Sequence, residues 1–256
     1  GVFLLSFLGV QEVPRVVEHA ATHGRRTFAA LVPDDAYGQA LEHSLRGALA
    51  RGGANLAFIQ RYAPETDGQE AAKILAEALR GSERTAQPVD AVFVPAPGVS
   101  LAPVSAMVGE LGIDPARQKV LSTGAWAYPG AGVDRTLLGT LFAVPDPAGW
   151  RDFSGRYAKA HGQPPPRLAS LAHDAVSVAV SLAAGPAGQR YTSVTLQRAT
   201  GFAGIDGAFR FLADGTSERA LAVVELGEQG QTLVEPAPSE IGGARSVMVA
   251  PLPALN

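Results

Sequence analysis

The residues best placed to do chemistry lie in the run Asp34-Asp35-Ala36-Tyr37-Gly38, directly after the apolar stretch Phe28–Val32 and Pro33. A tyrosine between the end of a strand and the start of a helix stands where backbone N–H groups and the helix dipole favour an anionic group. Tyr37 there either offers its hydroxyl to a ligand or packs its own loop, because a phenol is amphipathic. Asp35 brings a carboxylate to the same turn and is also a helix-cap residue type. Two later loops have a similar character, one holding Gly98, Val99 and Ser100, the other Ala125 and Trp126. Ser100 has a hydroxyl, and Trp126 has an apolar face with an indole donor, unless that indole serves internal packing. These seven residues form a candidate binding set. It suits a neutral or anionic small molecule with an apolar part.

Catalysis finds no comparable constellation. Ser100, Ser105, Ser122 and Ser170 stand outside any GxSxG or SxxK context. The chain has no cysteine, which removes disulfides, thiolate nucleophiles and thiolate-ligated metals. His19 and His23 have the i, i+4 spacing of a metal pair but no third ligand nearby in sequence, so a solvated helix face is the expectation. His173 is expected to be a partly buried, satisfied histidine. Gly201, Gly204 and Gly207 read as turn glycines, since no helix-forming run follows them. No metal and no cofactor are expected, and no enzyme. Charged residues make up 18% of the chain and the net charge is −3, which gives no electrostatic case for nucleic acid.

The elements that position these residues follow from periodicity. Thr27–Phe58 reads as strand, helix, strand, with Leu41, Leu45, Ala48 and Leu49 striping the helix and Gly52-Gly53 ending it. That is a βαβ unit, so its strands are expected to be parallel. A helix bearing Val13, Val16, Val17, Ala20 and Ala21 precedes it, after a strand-like run Val2–Leu8. Further strands are expected at Ala91–Val94, Lys119–Ser122 and Leu137–Val144, with helices at 69–80 and 101–111 between them. The result is an α/β, doubly wound parallel sheet with Phe28–Val32 central. Its exit loops fall on one edge, where open sheets bind ligands. Helices then follow at Trp150–His161, from about Arg167 to Gly185, and at Thr192–Thr200. The second is striped by Leu168, Leu171, Ala172, Ala175, Val176, Ala179 and Leu182. A hairpin of Ala208–Leu212 with Leu221–Leu226 around Asp214-Gly215 is expected last, with one more strand at Ser246–Ala250.

The DDAYG run, the segment Asp174–Val176 and the stretch Gly201–Leu226 together resemble the type I periplasmic binding proteins, which include leucine/isoleucine/valine receptors of ABC transporters. Leu121–Trp126, Phe142–Tyr157 and Pro165–Ala175 also resemble a branch known as penicillin-binding-protein activators. The resemblance implies two lobes assembled from discontinuous segments. Residues 1–11 would close the first lobe, 12–147 form the second, 148–200 return helices to the first, and 201–256 rejoin the second. It also implies an incomplete first lobe, with on the order of a hundred residues before Gly1, and an exposed stripe Leu168–Leu182 that invites a dimer.

The implied function is a periplasmic, non-enzymatic receptor that binds a small molecule and serves ABC-transporter membrane subunits. The alternative is an activator acting on a penicillin-binding protein. In such receptors the tyrosine matching Tyr37 contacts ligand, and a carboxylate after the fourth strand holds an amino acid's ammonium. The loop Ser122–Gly130 has no carboxylate. Asp35 or Asp146 could substitute, though neither is at the matching position.

Overall fold

The computed structural model describes residues 1–84, 88–96, 101–124, 134–241, 244–245 and 247–248. The chain divides into two compact units. One comprises residues 8–144 and 223–235, the other 1–7, 145–222 and 236–256.

The first unit is built around a seven-stranded sheet. Its helix α1 (Gly9–Thr22) buries Val13, Val16, Val17, Ala20 and Ala21, the stripe read from sequence. Pro14 lies within α1 and has no N–H for the carbonyl of Val10. The hydroxyl of Ser44 donates to that oxygen instead, at 2.8 Å. Strand β1 (Thr27–Pro33) is buried along its whole length. It runs parallel to β2 (Asn55–Tyr62) and β3 (Ala91–Phe93), joined by α2 (Ala36–Gly52) and α3 (Gln69–Ser82). Helix α4 (Ala102–Leu111) leads to β4 (Lys119–Ser122), and a 3-10 turn at Arg135–Leu137 precedes β5 (Leu141–Val144). Both of these strands continue the parallel pairing.

The sheet order is β10-β9-β5-β4-β3-β1-β2, where β9 is Ala222–Gly227 and β10 is Gly230–Glu235. The late strands β9 and β10 pair antiparallel with one another. Strand β1, expected to be central, therefore lies one place in from the β2 edge. Late chain segments extend the other side of the sheet and move its centre toward β4.

The second unit holds α5 (Pro147–His161), α6 (Ala169–Ala183) and the short α7 (Ser193–Leu196). Strands β6 (Phe202–Gly204), β7 (Gly207–Phe211) and β8 (Ser217–Arg219) pair antiparallel. Strand β11 (Glu240–Ile241) pairs with β12 (Ala244–Arg245), and β13 (Val247–Met248) runs parallel to β6. Phe202, Phe209 and Phe211 form its apolar centre with Val178 and Leu182.

Three expectations are corrected here. Val2–Leu8 forms no strand; Phe3 and Leu5 pack instead on the phenylalanine cluster. The partner of β7 across the Asp214-Gly215 turn is Ser217–Arg219, because Leu212 N donates to Thr216 O and closes the hairpin early. The run Leu221–Leu226 supplies β9 of the other unit. Consequently the chain re-enters the large-sheet unit at Val223 and not at residue 201.

Helix α6 leaves most of its apolar stripe open, as expected from the sequence, and buries a more polar face. Ser170, Asp174, Ser177, Val178 and Leu182 are buried, while Leu168, Val176 and Val180 are each more than half exposed. The cause is polar. Asp174 Oδ1 accepts from Ile205 N at 2.8 Å, and its other oxygen lies 3.8 Å from the guanidinium of Arg219. That anchorage turns Ala172, Ala175, Val176, Ala179 and Val180 outward.

Candidate functional site

Three strand exits converge at the carboxyl edge of the large sheet. At the first, Asp35 caps α2 by accepting from Gly38 N at 2.7 Å, which turns the chain and places Tyr37 in the first helical turn. The Tyr37 ring is about one-third exposed, at 36%. Its hydroxyl reaches the second exit, donating to Ala96 O at 3.4 Å, and also hydrogen-bonds Thr123 at the third. Thr123 Oγ1 accepts from Ala96 N at 3.1 Å, and Ser122 Oγ donates to Val94 O at 2.6 Å. Tyr37 thus touches the β3 and β4 exits one residue before 97–100 and two residues before 125–126. Gly98, Val99, Ser100, Ala125 and Trp126 themselves lie outside the described residues.

Two residues of this edge were not singled out from sequence. Glu12, in the first turn of α1, is almost fully buried, and its Oε2 accepts from Gly124 N at 2.7 Å. Its carboxyl is pushed up to about 7, chiefly by burial and against the pull of that N–H. Tyr62, at the end of β2, has a buried hydroxyl with no hydrogen-bond partner among the described residues. Burial, then the nearby Asp35 and Tyr37, push it up to about 12. Burial also raises Tyr37, with smaller contributions from Glu12 and Asp35. A single glutamate on an amphipathic helix has no sequence signature. Tyr62 had one, since it closes a strand at the same edge.

Glu12 yields a stability prediction. A carboxyl raised on folding stabilises the fold fully below its unfolded value near 4.5 and loses that contribution as pH rises through about 7. Relative to Glu12→Gln, which keeps an acceptor for Gly124 N, the wild type should lose roughly 3 kcal/mol across that interval. Urea denaturation at stepped pH measures the difference.

The other charged candidates resolve into structural partners. His19 is buried and bonds Glu235 at 2.6 Å, and Glu235 also takes Arg15 at 2.8 Å. The expected solvated face holds for His23, which is exposed, whereas His19 clasps the helix to β10, the two rings tilted against each other at 4.2 Å. His173 is partly buried against Phe153, with ring centroids 5.4 Å apart. Asp146 caps α5 through Ala148 N at 2.8 Å. No group of three metal-binding side chains occurs among the described residues, and no described helix is long and apolar enough to cross a membrane. A surface cavity of about 350 Å³, lined in part by Glu18, Thr22, Arg26 and Arg51, lies at the amino edge and holds none of the site residues.

A parallel sheet whose exits gather a tyrosine, two hydroxyls and a buried carboxyl at one edge has the architecture of an open α/β ligand-binding unit. The sequence profile described as periplasmic binding protein matches residues 1–231, and the chain belongs to that family.

Solved structures agree on the fold. An ABC-transporter substrate-binding protein of Desulfitobacterium hafniense in complex with Leu is 15% identical, with a TM-score of 0.62 over 87% of this chain and 64% of that one. A solute-binding protein of Rhodopseudomonas palustris BisB5 in complex with 3,4-dihydroxybenzoic acid is 18% identical, with a TM-score of 0.63 over 91% and 65%. A putative branched-chain amino acid ABC transporter protein of Rhodospirillum rubrum is 14% identical, with a TM-score of 0.70 over 89% and 66%. The chain thus spans less than two thirds of the length of the first two. A comparison with curated protein sequences finds no match. The type I periplasmic binding protein resemblance is borne out; its activator branch finds no support in these matches.

Proposed function

We propose that this protein is a non-enzymatic solute receptor of the periplasm, binding a small molecule at the carboxyl edge of its large sheet and serving ABC-transporter membrane subunits. The observation that carries the reading is the junction of Tyr37, Ala96 and Thr123, which draws three strand exits together in a chain of the periplasmic binding protein family. Tyr37, Asp35, Gly98, Val99, Ser100, Ala125 and Trp126 are the proposed ligand-binding residues. Asp35 contributes mainly by fixing the turn, since its carboxylate is committed to Gly38 N. A partly exposed phenol beside backbone groups and hydroxyls suits a ligand carboxylate attached to an apolar body. The ligands of two structural neighbours, leucine and 3,4-dihydroxybenzoic acid, share that chemistry.

Calorimetric titration with L-leucine and 3,4-dihydroxybenzoate tests the proposal, beside native mass spectrometry of protein purified without refolding. Retention or binding of a small carboxylic acid is expected. Tyr37→Ala should weaken it by about 1–3 kcal/mol with the fold intact. An unchanged affinity would assign Tyr37 to packing alone.

A further inference from the structure

Glu12 is a buried acid that this reading of the site leaves without a task. It sits in the first turn of α1 with its Oε2 held by Gly124 N at 2.7 Å, next to Thr123, whose hydroxyl meets Tyr37. Tyr37 in turn leans on the same helical turn: a Cβ placed on Gly9 would stand 2.6 Å from its hydroxyl. Glu12 makes no salt bridge with any described residue. The cations on its own helix, Arg15 and His19, are turned to Glu235. From the neighbouring elements, the titratable groups that act on this corner are Tyr37, Asp35 and Tyr62, and all three are acids. An ionised Glu12 therefore adds negative charge behind the phenol, and none of the described residues pairs a cation with it.

We infer that Glu12 determines the charge specificity of the binding edge: its protonated form admits anionic ligands, and its ionised form disfavours them. This rests on the receptor reading above. The backbone N–H of Gly124 can be accepted by the carboxyl oxygen in either protonation state, so titration changes the charge without releasing the side chain. Binding of an anion then draws one proton onto Glu12 when the free protein is ionised. The burial that raises the Glu12 carboxyl to about 7 places the changeover near neutrality. A neutral analogue of the same shape does not sense it.

Titration of the protein with benzoate and with neutral benzamide, at pH 5.5 to 8.5, separates the possibilities. In the wild type the acid should lose roughly tenfold in affinity across this range, as two like charges at close range in a partly buried site require. The amide should lose nothing, and Glu12→Gln should bind the acid with a flat profile. A flat wild-type profile, or the same slope in Glu12→Gln, overturns the inference while leaving the receptor reading intact. If neither probe binds at any pH, it is the choice of ligand class that fails. Glu12 is then read directly by carboxyl carbon-13 NMR, together with the Tyr37 ring resonances. A shared midpoint near pH 7 supports the coupling, and a Glu12 midpoint below about pH 5, or a Tyr37 ring blind to it, overturns it.

Discussion

Arg219→Met is expected to destabilise the smaller-sheet unit by about 3–5 kcal/mol, the cost of removing one partner from a buried ionic network. Arg219 on β8 is 7% exposed, and it shares the interior with Asp174 at 2% and Asp206 at 0%. Arg167 binds Asp206 at 2.6 Å and stacks on Trp150, with its guanidinium carbon 4.4 Å from the ring centre. Arg219 gives Nη1 to Gly207 O at 3.3 Å and lies 5.0 Å from the Phe209 ring centre. Two cations face two anions, so the cluster is neutral as a whole. Burial acts against each charge separately, raising the Asp174 carboxyl and lowering the Arg219 guanidinium.

Methionine preserves most of the arginine's apolar volume but leaves two carboxylates to share Arg167. The double variant Arg219→Met/Asp174→Asn restores neutrality and keeps an oxygen for Ile205 N, and should recover at least half of the loss. Urea denaturation of both variants decides the matter. A single-variant loss below about 1 kcal/mol would show that the pair behaves like an exposed one.

This network also explains why part of the fold was not legible in the sequence. The α6 stripe of Leu168, Ala172, Ala175, Val176 and Ala179 has helical periodicity, and periodicity correctly announces the helix. Which face goes inward is settled by long-range partners: Asp174 needs Ile205 N and Arg219, more than thirty residues away. The same limit applies to Val2–Leu8, whose apolar composition suits a strand or a segment laid on a phenylalanine cluster.

The βαβ unit from Thr27 to Phe58 was legible because its signals are local. An apolar run, an Asp cap, a striped helix and a glycine stop all agree there. The shared edge of the exit loops followed from parallel topology, and Tyr37 at Ala96 and Thr123 meets that expectation. Glu12 was hidden because it reaches the β4 exit from 112 residues earlier in the chain.

Gly38→Ala is the second substitution expected to do large damage, and it acts on the site and the fold together. In the DDAYG turn the backbone of Gly38 passes so close to the Pro33 carbonyl that an added Cβ would overlap its oxygen and crowd its carbon. Both of the nearest atoms are backbone, so no side-chain rotation relieves the clash. Either β1 loses the end of its pairing at Asp34 N–Tyr62 O (2.7 Å), or α2 retreats and breaks the Asp35–Gly38 cap.

Overpacking of a rigid site typically costs about 1–3 kcal/mol, and loss of the cap adds about 1 kcal/mol. A total near 3 kcal/mol is expected, or failure to accumulate as folded protein. Gly47→Ala on the same helix is the control. Its Cβ would meet only the mobile end of Arg51 at 3.5 Å, and an alanine there should stabilise the helix by about 0.5–1 kcal/mol. Any Gly38→Ala protein that does fold should have lost ligand affinity as well, because Tyr37 is the adjoining residue and its hydroxyl would leave Ala96 and Thr123. A Gly38→Ala protein as stable as the wild type would show that the turn is free to rearrange, and that Tyr37 is not held at the sheet edge by the glycine beside it.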